Sequence, residues 1–222
     1  MEIIQNIFAA ILPPLYIVYY IYKNDLYEKE PRKVLIKSFF LGCLTVIPAV
    51  ILESIFDENF FNNIFLFSII GVGLVEESSK FAFLRLYNYK KDDFNEPYDG
   101  IVYAVTISMG FALVENLFYV LGNHGQEISV AILRMFTAIP LHATCGVIMG
   151  YFFGISKMRK ENKLNPLFLG LLFPTIIHGL YDYFIFAGFS LIFSLLILII
   201  AFIYSNKAIK LHQKNSPFKT DK

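Results

Sequence analysis

Eight ionisable residues stand inside stretches that are otherwise apolar: Glu76, Glu77 and Lys80, then Glu115, then Arg134 and His142, and finally His178 and Asp182. A charge at the centre of a membrane-spanning helix costs ~2.5–3.5 kcal/mol on the insertion scale, so each needs a physical reason to be there. Carboxylates and imidazoles together suit amide hydrolysis, which requires an activated water, a proton donor for the leaving amine and a stabiliser for the oxyanion. A glutamate in a water-poor site can serve as the base, and histidines can polarise the water, donate the proton or stabilise the oxyanion. Alternatively, His142 and His178 with Glu76 or Glu115 form a three-ligand open site for zinc, although the HExxH signature is absent. Glu76 and Lys80 are four residues apart and can pair. Glu77 points ~100° away from Glu76, so one carboxylate can work on water while the other holds a neighbouring element. Spacing leaves open which is which.

The elements that must position these groups are membrane helices. Of 222 residues, 56% are apolar and 17% charged, with a mean hydropathy of +0.57; soluble domains run at about 45–50% and about 25%. Crossing a hydrocarbon layer about 30 Å thick takes roughly 20 residues. About seven stretches qualify: 3–22, 34–53, 61–86, 98–121, 129–155, 166–186 and 189–204. The expected fold is an all-α polytopic bundle, one integral-membrane domain over 1–206, followed by a frayed basic cytosolic tail, 207–222. Spans six and seven, joined at Ala187-Gly188, form a tight hairpin.

Charge alternates along the loops. Lys23, Lys29, Arg32, Lys33 and Lys37 crowd the first, Arg85, Lys90 and Lys91 the third, and Lys157, Arg159, Lys160 and Lys163 the fifth; the tail carries Lys207, Lys210, Lys214, Lys219 and Lys222. The intervening loops hold Asp57, Glu58, His124 and Glu127, without Lys or Arg. The positive-inside rule then places the N-terminus outside and the C-terminus in the cytosol. The first span lacks a basic leader and a small-residue cleavage site, which reads as a retained helix. A net charge of +1 argues against nucleic-acid binding. Cys43 and Cys145, both within apolar runs, argue against a disulfide framework and read as fillers.

The costly residues fall in four successive spans, which suggests a shared polar interior. Counted from span midpoints at ~1.5 Å per residue, Glu76, Glu77, His142 and His178 lie near the bilayer centre, with Glu115 and Asp182 about 8–9 Å towards the outer side. Residues four apart share a face, so His142, Gly146, Gly150 and Gly154 form one stripe, and Gly100, Ala104, Ser108, Ala112 and Asn116 another, with Glu115 alongside. Small-residue stripes mark close helix approach. Gly170, Pro174, His178 and Asp182 also align, so Asp182 can hydrogen-bond the His178 ring and fix its tautomer. Pro140 and Pro174 each remove a helix hydrogen bond near a histidine, tolerable beside protein or a wet cavity. Lys80 reads as the counter-ion of Glu76, and Arg134 as an interfacial anchor or a partner of Glu115. Glu115 and Asn116 read either as catalytic or substrate-orienting, or as structural.

These residues carry a resemblance. Glu76-Glu77-Ser78-Ser79-Lys80-Phe81, Asp99-Gly100-Ile101-Val102-Tyr103, Gly110-Phe111-Ala112-Leu113-Val114-Glu115-Asn116-Leu117-Phe118-Tyr119, Arg134 with Pro140-Leu141-His142, and His178-Gly179-Leu180-Tyr181-Asp182 follow one another over 73–182. In that order they resemble the PrsW family of intramembrane proteases, within the superfamily of CAAX-processing and bacteriocin-processing membrane proteases. Ala104 and Ser108 stand where the family pattern has glycines, and keep those positions small. The resemblance implies a protease that cuts a single-pass membrane protein, an anti-sigma factor, and so begins release of a sigma factor. It implies Glu76 as the water-activating base supported by Glu77, His142 as its partner, and His178 with Asp182 at the oxyanion site. Lys80, Glu115, Asn116 and Arg134 would support them. It favours a metal-free glutamate mechanism with no cofactor, zinc being the alternative. The expected setting is the plasma membrane of a Gram-positive bacterium, since abundant Lys, Ile, Asn and Phe suggest an AT-rich genome. A proton-coupled transporter using the same Glu/His set and a non-catalytic scaffold are the competing classes.

Overall fold

A computed structural model of the chain describes residues 2–122, 127–159 and 165–219. His124, Lys160, Lys163 and Lys222, named above in the charge pattern, lie outside the described residues. Among the described residues there are helices and no strands: α1 (Glu2–Lys23), α2 (Arg32–Leu44), α3 (Val46–Ile55), α4 (Glu58–Phe61), α5 (Ile64–Leu66), a π-helical segment (Phe67–Leu74), α6 (Val75–Leu86), a 3₁₀ turn (Asn88–Lys90), α7 (Pro97–Gly122), α8 (Glu127–Phe136), α9 (Ala138–Met158), α10 (Pro166–Phe186) and α11 (Leu191–Lys214). The all-α membrane bundle read from composition is what forms.

Among the described residues, five helical stretches are long and apolar enough to cross a membrane: Arg32–Ile55, Pro97–Gly122, Ser129–Met158, Pro166–Phe186 and Leu191–Lys214. Seven had been expected. The first expected span is α1, whose described apolar part, Ile7–Lys23, is shorter. The third is helical from Ile64 to Leu86, but Glu76, Glu77 and Lys80 remove it from the apolar class.

The centre of the bundle is α7. Every residue from Pro97 to Ala112 is buried, the pattern of a helix surrounded on all sides. Its small stripe meets that of α9 as the spacing predicts: a Cβ on Gly146 would come within 3.1 Å of the Ser108 side chain, and one on Gly150 would run into the Gly100 backbone. The other face of α7 takes α2, where Gly42 abuts the Ile107 carbonyl and Gly110 that of Phe39. Outside, Phe40, Ile47, Ile51, Phe118, Phe168, Ile199 and Phe202 are exposed, which suits contact with lipid rather than water.

The expected fifth span is broken at Thr137, where φ −124° and ψ −74° separate α8 from α9. Pro140 therefore sits in the first turn of α9, whose amides have no helical partner in any case. It removes no helix hydrogen bond, contrary to the sequence reading. Pro174 does lie inside α10. The tail also differs: α11 runs unbroken past residue 206 to Lys214. His212 Nε2 hydrogen-bonds the Tyr151 carbonyl at 3.0 Å and Gln213 donates to the Asn24 carbonyl at 2.7 Å. These contacts dock residues that charge alone assigns to solvent.

The basic loops share one end of the bundle. Lys157 donates to the carbonyls of Tyr89 (2.8 Å) and Lys91 (3.2 Å), and Tyr98 to that of Ile21 (3.2 Å), joining the ends of α1, α6, α9 and α11 to the start of α7. Such one-sidedness is what the positive-inside rule requires.

If the α7–α9 crossing sets the position of His142, then Gly150→Leu must push the two helices apart. Overpacking of this kind costs ~1–3 kcal/mol. The expected outcome is a lower unfolding midpoint of the purified protein, read by thermal scanning in detergent, whereas Gly122→Leu, with nothing within 4 Å of its added Cβ, leaves it unchanged.

Candidate active site

Five helices, α6 to α10, deliver the polar residues to one place. One ligand atom from each of Glu76, Glu77, His142 and His178 lies within 4.8 Å of the others, and all four residues are buried. Glu76 and Glu77 come from the first turn of α6, directly after the π-helical segment. π turns are wider than α turns and recur at functional sites. Here the segment carries Gly71 and Gly73 into contact with the Phe56 carbonyl and with Thr175 and Gly179 of α10. That close approach of Gly73 to Gly179 brings α6 and His178 together.

Lys80 lies at the centre. Its Nζ is 2.8 Å from Glu77 Oε1, 3.2 Å from Glu76 Oε2 and 3.0 Å from His142 Nδ1, so three ammonium hydrogens meet three acceptors. It also stands 4.0 Å from the centre of the Phe111 ring. Lys80 thus bridges three groups, where spacing suggested one. Because His142 Nδ1 accepts from Lys80, its hydrogen belongs on Nε2, which meets Glu115 Oε2 at 2.7 Å. The hydrogen-bonding carboxylate of His142 is Glu115, not Glu76. Arg134 closes the outer part: NH2 is 2.8 Å from Glu115 Oε2 and Nε donates to Asn116 Oδ1 at 2.5 Å.

His178 is fixed from a different side than its helix neighbours suggest. Its Nδ1 meets Glu77 Oε1 at 2.8 Å, which sets the ring orientation. Asp182, expected to hold the ring, lies 3.3 Å from Nε2 but without hydrogen-bond geometry at that oxygen. One turn along the same helix, it cannot align with the ring as Glu77 does from α6. Nε2 faces Glu76 Oε2 at 3.7 Å.

The two glutamates therefore divide. A cavity of about 290 Å³ is lined by Glu76, Glu115, His142, His178 and Asp182, with Tyr119, Thr137 and Tyr181 among its other walls; Glu77 is not part of the lining. The Glu77 side chain is fully enclosed behind Lys80 and His178. The volume holds several waters, at roughly 30 Å³ each, or a water and a peptide group. Ile185 and Phe186, the last residues of α10, also line it, so it extends towards the end opposite the basic loops.

The sequence assigned no role to four contributors. Tyr119, which closes one of the motifs, places its ring 3.8 Å from the Arg134 guanidinium carbon. Tyr181 and Thr137 are buried walls. Half-buried Glu53 on α3 lies within electrostatic reach of Glu76 and Glu115; the available signal was a lone acid at the end of an apolar span.

Two imidazoles and two carboxylates are donor types that zinc accepts. The geometry works against it, because the Lys80 ammonium already sits within 3.2 Å of three of the four donors. A divalent cation among them would be pressed against a fixed positive charge, and the residues as arranged do not fit one. The Glu115 oxygen is likewise committed to Arg134 and His142.

Comparison with known proteins bears on what this cavity is for. The family described as PrsW family intramembrane metalloprotease matches residues 30–205. The chain is 36% identical over 177 residues to Protease PrsW of Bacillus subtilis (strain 168), covering 79% of this chain and 80% of that one. It is 37% identical over 183 residues to Protease PrsW of Oceanobacillus iheyensis, covering 82% and 83%, and 33% identical over 183 residues to that of Clostridioides difficile (strain 630), covering 78% and 76%. No solved structure matches the chain. With the matched region enclosing every helix that contributes to the cavity, the chain belongs to the PrsW family of intramembrane proteases.

Proposed function

We propose that the protein hydrolyses a peptide bond of a single-pass membrane protein by a metal-free route in which Glu76 activates water. The observation that carries this is the split between the glutamates: Glu76 faces the cavity beside His178, while Glu77 is enclosed and holds Lys80 and His178 in place. Glu76 takes a proton from water as the oxygen attacks the carbonyl carbon. The tetrahedral oxyanion accepts a hydrogen bond from Nε2–H of a doubly protonated His178 ring, whose Nδ1–H is donated to Glu77 Oε1, and Glu76 returns its proton to the leaving amine as the C–N bond breaks. His142, with both nitrogens engaged, holds Lys80 against Glu115 and thereby sets the cavity wall. Asp182, beside His178 Nε2, keeps negative charge near the ring, and Arg134 with Asn116 fixes Glu115.

The cavity sits between α6, α7, α9 and α10 at membrane depth, so the scissile segment must leave its helix to present a free carbonyl. Substrates of this kind include anti-sigma factors, the class implied by the family resemblance, with cleavage beginning release of a sigma factor. The setting that fits the charge pattern and the Gram-positive relatives is a bacterial plasma membrane, with the cavity on the outer side.

The two glutamates separate this reading from a structural one. In reconstituted membranes Glu76→Gln is expected to lower cleavage ~10²–10⁴-fold while lowering the unfolding midpoint less than Glu77→Gln does, since Glu76 faces the cavity and contacts Lys80 at the longer 3.2 Å. Glu77→Gln is expected to lower both, because it removes a partner from a buried charge network, a loss of ~3–5 kcal/mol. Equal cleavage by Glu76→Gln and the parent would refute the assignment. A second measurement addresses zinc: purified enzyme with no metal detectable by elemental analysis is expected to cleave at full rate in excess chelator. Loss of activity restored by added zinc would replace the metal-free route with the metal-dependent one.

A further inference from the structure

A second polar cluster lies at the basic end, separated from Glu115 by the 16 residues of α7 from Asp99 to Glu115, about 24 Å at 1.5 Å per residue. One oxygen from each of Asp25, Glu96 and Asp99 falls within 4.8 Å of the others, and Glu28, Glu30 and Asp99 form an adjoining set by the same measure. Asp25, Glu30, Glu96 and Asp99 are each at most 1% exposed. Acidic clusters alone are common. What sets this one apart is that buried oxygens are left without partners: both of Asp25, both of Glu96, and one each of Glu28, Glu30 and Asp99.

The partners that could neutralise it are engaged elsewhere. Asp99 Oδ2 caps the start of α7, accepting from the amides of Asn95 (2.8 Å) and Glu96 (2.7 Å), and Glu30 Oε2 accepts from the Tyr103 hydroxyl. The Lys29 ammonium donates to the carbonyls of Tyr22 (2.9 Å), Lys23 (3.4 Å) and Asp25 (2.7 Å). Among the described residues no Lys or Arg nitrogen forms an ion pair with any of these carboxylates. An unpaired buried carboxylate costs several kcal/mol, so the cluster requires positive charge from outside the chain.

We infer that Asp25, Glu96 and Asp99, with Glu28 and Glu30 adjoining them through Asp99, bind a hard divalent cation, Mg²⁺ or Ca²⁺, which ties the loop between α1 and α2 to the loop and first turn that open α7. An all-oxygen donor set selects such ions over zinc. Half-buried Glu28 at the rim provides the entry. The ion would lock the basic end of α7, the helix that carries Glu115 and Asn116 at its other end.

The test uses the full-length protein in detergent after chelator treatment. Mn²⁺ titration followed by electron paramagnetic resonance is expected to show a bound ion in the parent and in His178→Ala, which leaves this cluster intact. Affinity is expected to fall at least ~10-fold in Glu28→Gln and binding to vanish in the Asp25→Asn, Glu96→Gln double variant. Saturating Mg²⁺ or Ca²⁺ is expected to raise the unfolding midpoint of the parent by ~5 °C or more. Stripped of metal, the double variant is expected to melt no lower than the stripped parent, since it removes repulsion. Absence of Mn²⁺ binding in the parent, or a midpoint that responds to acidification but to neither ion, would overturn the inference and leave shared protons as the neutralising charge. Cleavage activity plays no part in the readout, so failure here leaves the proposed protease chemistry standing.

Discussion

Everything at the centre of this protein depends on one ammonium group held at membrane depth. Lys80 has three hydrogens, and Glu76, Glu77 and His142 take one each. Without it, two neighbouring carboxylates on one helical turn would stand close together and uncompensated in a medium that cannot screen them. With it, they acquire different tasks, because Glu77 is drawn inward onto both Lys80 and His178 while Glu76 keeps access to the cavity. The chain of contacts then runs outward through His142 to Glu115 and Arg134. Unsatisfied members make a buried network costly, and these residues come from five helices, α6 to α10, with glycine-lined contacts among them, rather than from one flexible loop.

The same glycines connect sequence to geometry. Gly146, Gly150 and Gly154 on α9 lie against Pro97, Gly100 and Ser108 of α7, and Gly73 lies against Gly179. A side chain at any of these would hold apart the helices that carry His142, Glu115, Glu77 and His178. Close packing and chemistry are thus one constraint: sub-ångström placement of imidazoles in a lipid-embedded site is achieved by backbone contact.

Much of this was legible in the sequence because charges in apolar stretches are expensive and therefore informative. Glu76, Glu77, Lys80, Glu115, Arg134, His142, His178 and Asp182 stood out on that ground, and the small stripes of α7 and α9 predicted which faces meet. What could not be read were features set by three-dimensional partners. The break at Thr137 and the π-helical turns before Glu76 depend on packing that no local propensity encodes. The extension of α11 to Lys214 depends on Tyr151 and Asn24, far away in the chain. The orientation of His178 depended on Glu77, 101 residues distant, whereas periodicity pointed to Asp182 on its own helix. Asp25, Glu28, Glu30 and Glu96 carried no signal in the sequence, and Asp99 only as part of a motif, because what sets them apart is that folding brings them together.

The central claim is that the Lys80 ammonium organises a single hydrolytic cavity, and Lys80→Met tests it most directly when measured beside the parent in one reconstituted cleavage assay, with helical content followed by circular dichroism. The account predicts helices that still form, a lower unfolding midpoint and cleavage reduced by at least ~10²-fold. Cleavage at the parental rate by a folded Lys80→Met protein would contradict it.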